Sequence, residues 1–171
     1  FTTSTMQQDA GSRLGWGAQI TMRIAQRLYE NGYITYMRTD SINLSDQAIK
    51  AARAAATSLY GKDHVYETAR LYQGKSKNAQ EAHEAIRPAG DVFKTPGELA
   101  PELSRDEFAL YDLIWKRTVA SQMADAKKMQ QRVDFEATTS DKKKALFRAN
   151  GSVVTFQGFL AAYDDVVDEN N

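Results

Sequence analysis

"GYITYMRTDSINLS", residues 32–45, decides how the chain is read. Gly32 follows a helical pattern and serves as its stop, because glycine adopts the left-handed conformation that ends a helix. "YITYMRT" (33–39) is rich in β-branched and aromatic residues and reads as a strand. Asn43, Leu44 and Ser45 turn the chain, and Ser45 is placed to cap a helix running to about Tyr60, closed by Gly61. Helix, strand and helix in so short a span point to an α+β fold.

Working outward, Ser4 or Thr5 can cap a first helix that reaches Leu14 and is ended by Gly15 and Gly17. A second helix is predicted from about Ala18 to Asn31. Ile20, Ile24 and Leu28, beside the row Met22, Ala25 and Tyr29, form its apolar face. Downstream, residues 62–80 show no clear period and read as loop with a short strand. "AQEAHEAIRPAGD" (79–91) could form a short helix, but Pro88 disfavours helical geometry at Arg87. "KTPGELAPELS" (94–104) is a turn-rich link. Ser104 then caps a strong helix to about Gln122, with Phe108, Leu110, Tyr111, Ile114, Trp115 and Val119 as its apolar set. Beyond Asp125, "MQQRVDFEATT", "KALFRAN" and "GSVVTFQGF" read as strands joined by hairpin turns. The chain therefore divides near residue 124 into a helical part, 1–123, and a β part, 124–171. The β part is expected to lack partner strands that lie elsewhere in a longer chain. The order helix, helix, strand, helix is also that of a helix-turn-helix or winged-helix module.

Composition bounds the function. The 171 residues are 42% hydrophobic and 26% charged with 3 prolines, as in a globular protein. No apolar run approaches the roughly 20 residues of a membrane span. "FTTSTMQQDA" lacks the basic and apolar regions of a signal peptide. It also begins without Met, which suggests a piece of a longer polypeptide. Cysteine is absent, which excludes disulfides, thiol catalysis and zinc–thiolate sites and is compatible with a cytoplasmic setting. The 22 basic and 22 acidic residues cancel, so a uniformly basic nucleic-acid binder is excluded, although a local basic patch is not. "KKMQQR" and "DKKKALFR" read as solvated surface, and "YDDVVDENN" as an acidic tail.

Tyr36 has two readings. A strand tyrosine is ordinarily packing material, as Tyr29 and Tyr33 are expected to be. Alternatively it is a nucleophile. A phenol, with a pKa of about 10, then needs a nearby cation or base. Arg38 stands two residues on and shares its strand face, since side chains at i and i+2 point the same way. The planar fork of arginine suits phosphate. Tyr-x-Arg alone does not decide between the readings. Of the two histidines, His64 reads as an exposed bystander in a loop. His83 lies among Glu81, Glu84 and Arg87, where it is either a satisfied polar histidine or a donor to phosphate. "HEAIR" is not the zinc motif His-Glu-x-x-His, because Arg87 stands where the second histidine would be. A Gly-rich phosphate loop is absent.

In combination these stretches are more specific. "FTTSTMQQDA", "TMRIAQRLYENGYITYMRTDSINLS", "AQEAHEAIRPAGD" and "LYDLIWKRTVASQM" together closely resemble the central part of bacterial type IA DNA topoisomerase I, the actinobacterial enzymes especially. The resemblance runs from residue 1 through "FQGFLAAY". It implies that Tyr36 attacks a phosphodiester of single-stranded DNA to give a 5′-phosphotyrosine link. It implies that Arg38 steadies the scissile phosphate and that His83 contacts DNA. It further implies a catalytic-tyrosine domain over 1–123, containing a catabolite-activator-like helix-turn-helix, and part of a β arch domain over 124–171. Mg²⁺ in the full enzyme would be bound by a Toprim domain that this chain lacks, so no cofactor and no metal ligand are expected here, and the chain alone should scarcely cleave DNA. Its partners would be single-stranded DNA and the remaining domains of the same enzyme, without a membrane, in the bacterial cytoplasm at the nucleoid. The alternatives are a DNA-binding winged-helix module without chemistry, in which Tyr36 is packing, and a protein-interaction domain.

Overall fold

The computed structural model describes residues 1–72 and 84–164. Among the described residues five α-helices run in chain order: α1 Thr3–Leu14, α2 Ala18–Glu30, α3 Asp46–Tyr60, α4 Pro96–Leu99 and α5 Arg105–Ala120. Two strands follow, β1 Lys127–Thr138 and β2 Lys144–Phe156, and they form a two-stranded antiparallel sheet. Short 3₁₀ turns lie at Lys62–His64 and Gly158–Ala162. The fold is therefore mixed, helices plus one hairpin.

The helices start where side chains can replace the missing intrahelical acceptors. Ser45 caps α3 through Ala48 N–H, and Ser104 caps α5 in a reciprocal box with Glu107, both as the sequence predicts. At α1 the cap is Thr2, not Ser4 or Thr5. Thr2 accepts from Thr5 N–H while Thr5 Oγ1 accepts from Thr2 N–H, a pairing that the run of hydroxyls hid. The turn-rich link contains α4, opened by the Thr95–Glu98 capping box with Pro96 in the first turn.

α5 is the centre of the helical part and packs against α1, α2, α3 and α4. Its Leu110, Ile114, Trp115 and Val119 meet Met6 and Ala10 of α1 and Ile24 and Leu28 of α2 in one buried cluster. α3 contributes Ala48, Ala51, Ala52 and Ala56, small side chains that bring its backbone close to its neighbours. On α2 the expected face is only partly right. Ile24, Ala25 and Leu28 are buried, but Ile20 and Tyr29 are exposed.

"YITYMRT" is not a strand. Only Ile34 pairs, in a single antiparallel bridge with Pro88. Proline has no N–H, so a ladder cannot propagate through it. Burial does not alternate either: Ile34 and Met37 are buried while Tyr36 and Arg38 are exposed. The residues of "EAIRPAG" that are described form no helix, in keeping with Pro88. Val65 bridges Met123, so the predicted short strand in 62–80 is reduced to one pair; residues 73–80 lie outside the described residues. His64 is no bystander, because its ring packs on Phe156 with centroids 4.8 Å apart.

"KALFRAN" and "GSVVTFQGF" are not two strands. β2 runs unbroken through Gly151, which sits opposite Gln131. Cross-strand partners share a face, so Met129, Val133, Phe135, Phe147, Ala149 and Val153 form one apolar side of the hairpin, and it is exposed. The opposite side carries ion pairs, among them Arg148–Asp134 at 2.8 Å and Lys144–Glu136 at 2.7 Å. The hairpin closes on itself at its base, where Phe159 N–H donates to Ala124 C=O at 2.8 Å. Gly158 makes this closure possible. Its φ is +52°, and a Cβ there would lie 2.5 Å from the carbonyl oxygens of Ala124 and Asp125.

Candidate nucleic-acid and catalytic site

Two stretches that are distant in sequence, 33–41 and 84–90, are bonded side by side. Thr35 N–H donates to Arg87 C=O at 2.9 Å, and Ala89 N–H donates to Tyr33 C=O at 2.9 Å. The Thr35 hydroxyl donates to Ala85 C=O at 2.9 Å and accepts from Arg87 N–H at 3.0 Å. One threonine thus meets the second stretch at three points, immediately before Tyr36.

On the other side of Tyr36 the backbone is held by the start of α1. The Thr3 hydroxyl donates to Met37 C=O at 2.8 Å, and Thr3 N–H donates to Thr39 C=O at 2.9 Å. Thr39 N–H returns a bond to Thr3 Oγ1 at 2.9 Å. Ile34 and Met37 fill the core beneath. The backbone that carries Tyr36 is fixed from both ends.

Glu84 and Arg87 lock the second stretch. Arg87 is 8% exposed, and its guanidinium gives Nη2 to Glu84 Oε2 at 2.9 Å and Nε to Glu84 Oε1 at 3.1 Å. Its Nη1 donates to the carbonyls of Pro88 and Gly90, each at 2.9 Å. Glu84 Oε1 also accepts from Ser45 N–H at 2.8 Å, at the head of α3. Burial pushes the Glu84 carboxyl up, but the bonds from Arg87 and Ser45 outweigh it and hold its pKa below 4.5. Four of the five N–H donors of Arg87 are spent within its own loop, and the side chain is buried, so its role is to shape the loop.

Against that frame the two predicted chemical residues are outward. Tyr36 is 47% exposed, and Arg38 is exposed beside it. No hydrogen bond or ion pair joins the Tyr36 hydroxyl or the Arg38 guanidinium to another described residue. Tyr33 differs: its hydroxyl donates to Glu102 at 3.0 Å, and that bond raises its pKa, which leaves a poorer nucleophile. The Tyr36 ring meets the ring of Tyr29, which is 42% exposed, edge to face, with centroids 5.2 Å apart and planes at 66°. Tyr29 is therefore not core packing; Tyr66, Tyr72, Phe135 and Phe147 are also exposed. His83 lies outside the described residues, although its neighbour Glu84 is in the locked stretch. A cavity of about 380 Å³ opens among Phe1, Ile86, Arg117 and Tyr163, but neither Tyr36 nor Arg38 lines it.

Sequence reasoning missed Thr3, Thr35, Glu84 and Tyr29. Thr35 was legible only as a β-branched strand residue, and nothing local to Thr3 marks a partner beyond its own helix. The described residues do not fit a magnesium site. No group of three or more carboxylates or histidines comes together among them, and the one partly buried carboxylate near Tyr36's segment, Glu84, already spends its oxygens on Arg87 and Ser45.

The chain can be placed among known proteins. The family model described as DNA topoisomerase matches residues 1–171. DNA topoisomerase 1 of Mycolicibacterium smegmatis is 57% identical over 169 residues, 99% of this chain and 18% of that protein. DNA topoisomerase 1 of Streptomyces coelicolor is 56% identical over 171 residues, 100% of this chain and 18% of that protein. The structure of full-length topoisomerase I from Thermotoga maritima superposes with a TM-score of 0.72 at 39% identity, covering 96% of this chain and 26% of that one. The chain thus spans about a fifth of the length of the curated relatives it matches. It belongs to the DNA topoisomerase family and, within it, to the bacterial type IA topoisomerase I group.

Proposed function

We propose that the chain is the tyrosine-bearing segment of an enzyme that cleaves and rejoins single-stranded DNA to relax negative supercoils. Tyr36 Oη attacks a backbone phosphorus, forming an O–P bond as the P–O3′ bond breaks. The DNA is left with a 5′-phosphotyrosine link and a 3′-hydroxyl, and the phenolic proton ends on that 3′-oxygen. Attack by the hydroxyl reverses both steps. The phosphodiester energy is kept in the adduct, so ATP is not required. Arg38 stabilises the anionic phosphate as charge builds on it, and His83 contacts DNA at the site.

The observation that carries this reading is the exposed Tyr36–Arg38 pair on a backbone held from both sides. A packing tyrosine would turn its ring inward, and a structural arginine would find a partner, as Arg87 does. Residues 1–123 are read as the catalytic-tyrosine domain of catabolite-activator-like helix-turn-helix type, and residues 124–171 as part of the β arch. Magnesium chemistry is supplied by a Toprim domain elsewhere in the polypeptide. Among the described residues no helix is long and apolar enough to cross a membrane, which suits action on the nucleoid.

The test is adduct formation on a labelled single-stranded oligonucleotide with Mg²⁺, using the chain alone and mixed with the Toprim-containing remainder. An adduct only in the mixture, lost in Tyr36→Phe, supports the reading. A mixture that assembles and binds DNA without forming an adduct returns Tyr36 to packing and favours a winged-helix DNA-binding module.

A further inference from the structure

Tyr36 is tightly held in its backbone and loosely held in its side chain. Thr35 and Met37 are fixed on either side of it, through the Thr35 bonds to Ala85 and Arg87 and the Thr3 bond to the Met37 carbonyl. The ring itself projects into solvent, and its hydroxyl has no partner among the described residues. In a tyrosine the reactive oxygen is at the far end of the ring, so a small rotation about χ1 displaces it widely. In-line attack requires the oxygen within roughly 3–3.5 Å of phosphorus, and a misplacement of about 1 Å can lower a rate 100-fold.

A neighbouring ring stands in the way of that rotation. Among the described residues, the ring contact of Tyr36 is with Tyr29, in the edge-to-face geometry that aromatic quadrupoles favour. Tyr29 is well anchored for the purpose. It lies in the last turn of α2, next to fully buried Leu28. The helix end beneath it is closed by Gly32 N–H to Tyr29 C=O at 2.9 Å and by Tyr33 N–H to Leu28 C=O at 2.8 Å. A half-exposed aromatic in such a place adds little to the core. Its edge instead removes part of the arc through which the Tyr36 ring could swing.

We propose that Tyr29 is a positioning residue for Tyr36: its ring selects the Tyr36 rotamer and so places the attacking oxygen. The proposal rests on the reading of Tyr36 as nucleophile. The contact uses the ring and not the Tyr29 hydroxyl, so phenylalanine should serve as well. An edge-to-face pair of ordinary strength corresponds to a factor of roughly 3 to 10 in rate.

The experiment uses the full-length enzyme that carries this segment, with Tyr29→Phe, Tyr29→Leu, Tyr29→Ala and Tyr36→Phe. Single-turnover cleavage of a saturating oligonucleotide, oligonucleotide Kd and melting temperature are measured for each. The expected result is that Tyr29→Ala and Tyr29→Leu cleave roughly 3 to 10 times more slowly with Kd and melting temperature unchanged, and that Tyr29→Phe cleaves at the wild-type rate. Wild-type cleavage by Tyr29→Leu overturns the proposal. So does equal slowing by Tyr29→Phe, which would give the role to the hydroxyl, or a matching rise in Kd, which would make Tyr29 a surface on which a base stacks. An adduct that survives Tyr36→Phe sinks the nucleophile reading itself, a failure separate from the other three.

Discussion

Thr35 and Arg87 are bonded to each other twice, Thr35 N–H to Arg87 C=O at 2.9 Å and Arg87 N–H to Thr35 Oγ1 at 3.0 Å. A side-chain hydroxyl here does what a second strand residue would do in a ladder. It lets two irregular segments run together where Pro88 prevents a sheet.

Thr35→Val keeps the shape of the side chain and removes the hydroxyl. Ala85 C=O and Arg87 N–H then lose a partner, which should cost about 1–3 kcal/mol. Urea denaturation of wild type, Thr35→Val and Thr35→Ser checks this, with serine recovering most of the loss. An unchanged midpoint for valine would mean that the two segments are held by other contacts.

Acid should weaken the same region through Glu84. Its folded-state pKa lies below the ordinary 4.5, because the bonds from Arg87 and Ser45 outweigh burial. The stabilisation is therefore fully present above pH 4.5 and is lost as pH falls through the folded value. Melting temperatures of wild type and Glu84→Gln, measured from about pH 7 down to about pH 3, should converge toward the acid end. Glu98 and Glu107, also held low by their capping bonds to Thr95 and Ser104, contribute equally to both proteins. A gap that stays constant with pH would show that the Glu84 charge is not what stabilises the loop.

Gly158→Ala should be among the most damaging small substitutions in the chain. It asks a residue with a Cβ to hold φ +52° and puts that carbon 2.5 Å from two backbone oxygens. A loss of roughly 2 kcal/mol or more is expected. Gly97, inside α4 and with nothing within 4 Å of its missing Cβ, is the control: Gly97→Ala should be neutral or slightly stabilising. Equal melting temperatures for the two variants would show that the hairpin base relaxes freely.

The parts of this fold that are written locally were readable. The caps Ser45 and Ser104 and the spacing of Leu110, Ile114 and Trp115 specify helices through neighbours three or four residues away. "YITYMRT" misled because its β-branched and aromatic content answers to tertiary contacts. Its partners are Ala85, Arg87 and Thr3, which lie 50, 52 and 36 residues away along the chain. The same distance in sequence hid the frame of the candidate site. Tyr36 and Arg38 could be nominated as a phenol two residues from a guanidinium, but that pattern alone left packing open, and the choice rested on the resemblance carried by the surrounding motifs. Nothing in the residues around Thr3 or Glu84 says what they bind. Tyr29 was placed in the core by helical period alone, but in the last turn of α2 Leu28 takes the buried position and Tyr29 faces solvent.

The closure of the hairpin at Ala124 and Gly158 has a mechanical meaning. Twelve residues of β1 extend roughly 40 Å from that point. Entry and return of the chain are tied together there, so among the described residues the hairpin joins the body at its base, beside the contact of His64 with Phe156. A load applied at the far turn arrives as torque about that base, next to the end of α5. α5 is packed on four other helices and resists as a block. The segment carrying Tyr36 is fastened at Thr3 and Thr35, and Thr3 opens α1, one of the helices packed on α5, so such a load would meet that segment only through the packed block.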